Sequence, residues 1–450
     1  MKASYHTLGC KLNFSETATI SNLMEQRGIV TAKAGESPDF CVINTCSVTG
    51  NADKKARQLI RHLATKYPLA SIIVTGCYAQ LKPKEVAALP NVALVLGSNE
   101  KLRICEYIDS VIHSGVGSGE QSVEVSATNQ IKEFMPSCER GERTRYFLKV
   151  QDGCDYFCTY CTIPYARGRS RSGKISEMVE MAKRAAEQGG KEIVITGVNI
   201  GTFGKDRDED FFSLIRALDR VEGIERFRIS SIEPNLLTDE MIDWIAFESR
   251  AFMPHFHIPL QSGSDKVLSL MKRRYDTALF AARIKKIRET ISDAFIGVDI
   301  IAGARGETEE EWRKSFEFAK NLDVAKFHAF PYSERPGTRA LLLGEKSVPQ
   351  GDRYQRVSLL NELSESKTED FIKRDLGAER KVLWEKSSGP EKMQGLTDNY
   401  IRVEAPLKRE LLNQISTVII AGIKKDSPEI AIAYHKESQF SSELSETQRK

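Results

Sequence analysis

The sequence predicts an α/β protein built in three successive parts. An open parallel α/β sheet is expected over residues 1–125. A partial (β/α)6 barrel of TIM-like form is expected over 142–373, and a small antiparallel β-barrel over 374–440. Residues 126–141 read as a linker and 441–450 as a disordered polar tail. Three observations carry this reading. The first part repeats a short β-branched apolar run three times, with helical patterns between the copies. The middle alternates strand and helix through six cycles. The last part breaks into short β-like runs separated by glycine, proline and asparagine turns.

Composition sets the class. The chain has 450 residues, 41% of them hydrophobic and 28% charged, as in soluble globular proteins. A formal charge of +3 singles out no partner. No run approaches ~18 uninterrupted apolar residues, so no membrane span is expected. The opening "MKASYHTLGCKLNF" lacks an export signal, so a cytoplasmic protein is expected. In that setting nine cysteines read as thiols or metal ligands, not as a disulfide framework.

In the first part, "KASYHTLGC", "DFCVINTC" and "SIIVTGC" read as buried parallel strands. Helical patterns separate them at Phe14–Arg27 and Asn51–Tyr67. Each run ends in a cysteine: Cys10, Cys46 and Cys77. Equal phase in consecutive βαβ repeats places all three at the carboxyl edge of one sheet, where open α/β sheets bind ligands. Gly9 and Gly76 precede two of them, where backbone must turn tightly. Asn44 and Thr45 are candidate hydrogen-bond donors to a group held there. Cys41 lies five residues before Cys46, about 16 Å away at ~3.3 Å per residue, and reads as core. Cys105 and Cys138 have no partner motif and read as structural.

In the middle part the candidate strands are "YFLKVQDG", "EIVITGVN", "RFRISSIEP", "HFHIPLQSG", "FIGVDIIAG" and "AKFHAFPYS". Helices are expected at Ser176–Gln188 and Thr308–Leu322. Barrels of this kind work at the carboxyl ends of their strands. The first strand runs directly into "DGCDYFCTYCTIPYARGRSR", with Cys154, Cys158 and Cys161 on one tight loop. Three thiols are one ligand short of a closed zinc or iron–sulfur site.

This Cys-x3-Cys-x2-Cys loop resembles that of the radical S-adenosylmethionine (radical SAM) superfamily. The resemblance implies that three thiolates hold a [4Fe–4S] cluster whose fourth iron is left for S-adenosylmethionine. It places Tyr160 at the aromatic position beside the cofactor, and Gly197 and Asn199 at its amino group. Glu233 and Gln261 would hold its ribose or amino-acid groups, and Ile301 would pack on its adenine. "GARGETEEEW" departs from the family's Gly-Phe-Pro-Gly-Glu form, with Ala304 and Arg305 at the changed positions. Arg305 is expected to meet an anionic substrate. The alternative is a zinc knuckle completed by His255 or His257. Those two histidines are otherwise expected to be satisfied core residues, one facing inward and the other outward.

The last part resembles the TRAM module, an RNA-binding barrel, with Trp384 and Tyr400 expected in its core. Arg167, Arg169 and Arg171, bordering the cysteine loop, are expected to grip RNA phosphates. The three parts in this order resemble the radical SAM methylthiotransferases. "TLGCKLN", "NTCSVT" and "TGCYAQ" look most like the branch acting on N6-threonylcarbamoyladenosine at position 37 of transfer RNA, beside the anticodon. Sister branches act on isopentenyladenosine or on a ribosomal protein. The resemblance implies two [4Fe–4S] clusters, with Cys10, Cys46 and Cys77 holding the auxiliary one. It implies S-adenosylmethionine as the source of a 5′-deoxyadenosyl radical that takes hydrogen from carbon 2 of the adenine. It also implies a transfer RNA substrate, a reducing electron donor, a sulfur source and no membrane. A rival of another class is a non-enzymatic RNA-binding protein with zinc in its cysteine triads.

Overall fold

The computed structural model describes residues 1–116, 121–141, 143–387 and 389–436. The expected polar tail lies outside the described residues. The first sheet contains β1 (Lys2–Thr7), β2 (Val30–Thr31), β3 (Phe40–Thr45), β4 (Ser71–Gly76), β5 (Val92–Leu96) and β6 (Ser122–Glu124). All pairings are parallel, in the order β2-β1-β3-β4-β5-β6. β3 and β4 are buried at every position, which is why they read as continuous apolar runs and not as alternating ones. Successive residues of β3 supply opposite cores: Cys41 and Ile43 pack on one face, Phe40 and Val42 on the other. The crossover helices run Lys11–Gln26 and Gly50–Lys66, the second capped by Thr49, whose hydroxyl accepts from Ala52 N. β2, β5 and β6 extend the sheet beyond the three strands expected.

The middle part begins with a short edge strand, β7 (Ser137–Glu139), antiparallel to β8 (Tyr146–Lys149). Next comes a two-residue pair, β9 (Gln151–Asp152) with β10 (Arg171–Ser172), which ties the two ends of the cysteine loop together. The parallel strands β11 (Glu192–Thr196) and β12 (Arg226–Ile229) join β8. A second parallel group holds β13 (His255–Gln261), β14 (Phe295–Ala302) and β15 (Lys326–Pro331). A single parallel bridge, Phe227 to Phe252, links the groups. The six expected strands are thus present in chain order. One large apolar core lies between them and the outer helices, among them Ile175–Glu187 and Glu309–Asn321. The long helix Gln350–Arg374, not expected from the sequence, closes on β15: the Ser364 hydroxyl donates to Phe327 O at 2.9 Å, and that of Thr368 to Ala325 O at 2.9 Å.

The last part is a closed barrel of β16 (Glu379–Ser387), β17 (Lys392–Thr397), β18 (Arg402–Pro406), β19 (Ile415–Ile423) and β20 (Ile430–His435). β18 and β20 pair in parallel, where the sequence reading expects an antiparallel barrel throughout. Parity explains the difference: strand direction cannot alternate around a closed ring of five. The barrel seats on the amino ends of the middle strands. Arg226 donates to Leu396 O (3.1 Å) and Lys381 O (2.8 Å), and Arg228 to Asp398 O (2.9 Å) and Thr397 O (2.7 Å).

Candidate active site

The sheet registers bring the first cysteine triad together. β1 pairs Thr7 with Asn44 of β3, and β3 pairs Thr45 with Gly76 of β4. Cys10, Cys46 and Cys77 therefore leave the same carboxyl edge, close enough for their thiols to influence one another electrostatically. Gly9 has φ +107°, and a Cβ there would lie 2.7 Å from Cys46 Cβ. Gly76 has φ +94°, and its Cβ would meet Thr45 O at 2.3 Å. Only glycine fits either position. Burial pushes the Cys46 thiol up to about 12 and raises that of Cys77 as well. Asn44 and Thr45 are not aimed at sulfur. Asn44 Nδ2 donates to Asn13 O at 3.0 Å, and the Thr45 hydroxyl to Thr75 O. The expected role is corrected: buried side-chain donors at a strand edge serve the backbone first.

The second triad sits on a loop held by backbone contacts. Gly153 has φ +71° and no room for a Cβ, which would lie 2.0 Å from Arg169 O. Cys154 N donates to Gly168 O at 3.1 Å. Each thiol then faces a donor. Cys154 Sγ accepts from Tyr156 N at 3.4 Å, Cys158 Sγ from Arg273 Nη1 at 3.2 Å, and Cys161 Sγ from Ile163 N at 3.4 Å. Burial raises all three thiols, Cys161 to about 12.

The other expected site residues surround this loop. Asn199 Nδ2 lies 3.9 Å from Cys154 Sγ, and its Oδ1 is buried with no partner. A Cβ on Gly197 would meet Gln151 O at 2.8 Å. Glu233 is ion-paired to Arg273. Gln261 ends β13 at φ +66°, beside a register shift. Tyr160 and Ile301 pack against the same small apolar cluster around Val267 and Met271. Arg273 went unrecognised in the sequence: it lies in "MKRRYD", far from the cysteines along the chain, with nothing local to mark it.

The donor sets fit an iron–sulfur group. Each triad offers three thiols; the nearest carboxylates, Glu16 beside Cys77 and Glu233 beside Cys154 and Cys158, are already ion-paired to Lys101, Lys149 and Arg167 and to Arg273. N–H groups face the second set, and side-chain-free backbone crowds both. Among the described residues, no three His, Cys, Asp or Glu side chains converge as one metal ion requires.

Between the triads lies a buried charge network. The Glu16 carboxylate meets Lys101 Nζ (2.6 Å), Lys149 Nζ (2.9 Å) and Arg167 Nη1 (3.0 Å). The Asp152 carboxylate meets Lys149 (2.9 Å), Arg167 (3.0 Å) and Arg171 (3.2 Å). Burial alone raises the Glu16 carboxyl, but Arg167, Lys101 and Lys149 hold it well below the usual range. Burial draws Lys101 down to about 8. Arg167 also donates to Asn13 Oδ1 at 2.6 Å, and Asn13 Nδ2 donates to Leu8 O and Thr45 O beside the first triad. Arg167 and Arg171 are thus buried structural cations, and the phosphate-gripping role expected of them is corrected. Their carboxylate partners come from the sheet strand and from a distant helix. Arg169 remains exposed, over the Phe157 ring at 4.6 Å. Arg305 is paired with Glu334 at 2.9 Å and donates to Glu345 O, so its guanidinium is already engaged.

The histidines also differ from expectation. Both line one cavity inside the barrel, because residues two apart on a strand share a face. His255 is buried with Nδ1 unpartnered and stacks on Tyr400, ring centroids 4.0 Å apart. His257 Nε2 is 2.9 Å from Asp299 Oδ1. Trp384 is fully buried, with Nε1 donating to Ser416, as expected of a core residue. Cys41 is likewise fully buried.

Residues 2–97 match the family model described as Uncharacterized protein family UPF0004, and residues 148–319 match the Radical SAM superfamily. The chain is 37% identical to the threonylcarbamoyladenosine tRNA methylthiotransferase MtaB of Bacillus subtilis, covering 93% of each chain. It is 35% identical to the tRNA-2-methylthio-N(6)-dimethylallyladenosine synthase of Corynebacterium jeikeium, over 81% of this chain and 73% of that one. Among solved structures, the radical S-adenosylmethionine methyltransferase TsrM from Kitasatospora setae shares the fold, with TM-score 0.55 and 14% identity over 75% of this chain and 73% of that one. With two matching family models, relatives aligned over nearly its full length, and a three-thiol loop at the mouth of the barrel, this chain belongs to the radical SAM tRNA methylthiotransferases, which use an iron–sulfur cluster and S-adenosylmethionine.

Proposed function

We propose that this protein adds a methylthio group to carbon 2 of N6-threonylcarbamoyladenosine at position 37 of transfer RNA, in the cytoplasm, using two [4Fe–4S] clusters. The observation that carries the reading is the adjacency of the two triads. Arg167, six residues after Cys161, lies close enough to Cys46 and Cys77 to favour their thiolate forms. Thr162, next to Cys161, donates to the carbonyl of Ser47, next to Cys46, at 3.5 Å, and two three-thiol sites held this near each other suit sulfur insertion at an unactivated ring carbon. The bound groups supply radical generation and sulfur delivery. The chain's own residues position them. In this reading Asn199, Glu233 and Arg273 orient S-adenosylmethionine, and Tyr160 and Ile301 form its apolar wall. Gly9 and Gly76 let backbone approach the auxiliary site. The threonylcarbamoyl substrate is supported by higher identity and fuller coverage of the MtaB relative than of the dimethylallyladenosine-type one.

Anaerobically purified protein is expected to hold about eight irons, four per site. Cys158→Ala should abolish S-adenosylmethionine cleavage. Cys46→Ala should retain cleavage and make no methylthio nucleoside, as read by mass spectrometry of transfer RNA digests. Full product from Cys46→Ala would overturn the two-site assignment. Product only on isopentenyladenosine would move the protein to the sister branch. Zinc in place of iron after anaerobic reconstitution would leave the RNA-binding reading.

A further inference from the structure

A cavity of about 440 Å³ lies inside the barrel, within the size range of small-molecule sites. Its wall includes Lys11, His255, His257, His328, Tyr400 and Arg402. Most of its charges are already engaged. Asp299 is bound by His257, Lys326 is paired with Glu429 at 2.7 Å, and Arg402 lies 3.9 Å from Glu385. His328 stacks on His257 with centroids 5.2 Å apart, and burial lowers it to about 4, so it is neutral. Lys11 differs: it is near enough to help hold the Asp299 carboxyl below its usual range, yet among the described residues no carboxylate lies in ion-pair contact with it. It is the residue next to Cys10, so this cation hangs from the same turn as a thiol of the first triad.

Resting on the function proposed above, we propose that this cavity receives the N6 substituent of the target adenosine, and that Lys11 binds its carboxylate. The geometry of adenine supports the placement. Carbon 2 and carbon 6 both flank N1, so the group that attacks carbon 2 and the group that holds the N6 substituent must be neighbours. Cys10 and Lys11 are neighbours in the chain. The threonylcarbamoyl group carries one carboxylate together with hydroxyl and N–H groups. Lys11 answers the first, while His328 and the unpartnered Nδ1 of His255 answer the others.

The test uses full-length protein and two anticodon-loop oligonucleotides, one carrying the threonylcarbamoyl group as its free acid and the other as its carboxamide. Wild type is expected to prefer the acid by about 10- to 100-fold in Kd and in kcat/KM, the range for a hydrogen-bonded charge contact. Lys11→Gln should lose that preference with iron content and S-adenosylmethionine binding unchanged, and Lys11→Arg should keep most of it. A Lys11→Gln protein that still prefers the acid overturns the proposal. So does equal weakening toward both oligonucleotides, which would make Lys11 a backbone-phosphate contact or a folding residue. Binding preference without any product in wild type would instead refute the proposed reaction and leave the pocket standing.

Discussion

Gly76 shows how a single absent methyl group shapes a site. Alanine there would have to hold a left-handed backbone while its Cβ met Thr45 O at 2.3 Å. Gly76→Ala is expected to cost about 1–3 kcal/mol in denaturant unfolding and to empty the first triad, halving iron content. Full iron loading would show that the turn relaxes freely. Arg273 reaches Cys158 and Glu233 with two arms of one guanidinium, which a lysine cannot do. Arg273→Lys should raise the KM for S-adenosylmethionine by about tenfold with iron content intact; an unchanged KM would free Arg273 of that role. Glu307 supplies a pH signature. Burial outweighs Gly303 N and Arg356 and raises its carboxyl to about 7. The folded state therefore holds a proton that the unfolded state releases near pH 4.3, so its stabilisation is complete below that pH and lost as pH rises through 7. Stability measured from pH 5 to 7.5 should fall less steeply in Glu307→Gln than in wild type. At this scale the sequence is uneven. Cysteine spacing exposed both triads because βαβ period and strand register are local properties. Arg273 and Glu16 escaped notice because their partners are far away in the chain.

The elements are where the sequence speaks most clearly. Continuous apolar runs marked β3 and β4, since burial on both faces removes polar alternation; barrel strands such as β12 and β13 interleave arginine or histidine and were marked by their alternation with helices. The pattern failed for β2, β6 and β7, which are two or three residues long and take their shape from a neighbour. It also failed for "RGRSR". Three arginines at alternate positions looked like a cationic strip, yet Arg167 ends a helix and Arg171 pairs in β10, so two of the three turn inward. Arg169 alone points to solvent. Arg169→Ala should weaken transfer RNA binding modestly and reduce the salt slope by roughly one, whereas Arg171→Ala should act through stability. A salt slope unchanged in Arg169→Ala would take that residue off the RNA path.

The first and second parts of the molecule are joined by a buried polar network. Glu16 and Lys101 of the first part meet Lys149, Asp152 and Arg167 of the second, all nearly excluded from solvent. Removing one partner strands the others, so Arg167→Met is expected to cost about 3–5 kcal/mol. It should also separate the triads, leaving S-adenosylmethionine cleavage uncoupled from methylthio product. A variant that unfolds at the wild-type denaturant concentration, with coupling intact, would refute this joint. The three-part division was readable from pattern. The joint was not, since its members are scattered from residue 16 to residue 171 and each resembles an ordinary surface charge.

That scatter has a consequence for synthesis. Glu16 and its Arg167 partner are 151 residues apart. At the usual ~5–20 residues per second, a nascent chain waits roughly 8–30 seconds between making one and making the other. During that interval the first sheet can fold, but its helix carries a carboxylate that only Lys101 can answer. The ribosome thus holds a first part whose inner face is unfinished. Nascent chains arrested before Lys149 should therefore remain protease-sensitive along Lys11–Gln26, and become resistant once Arg171 has cleared the exit tunnel.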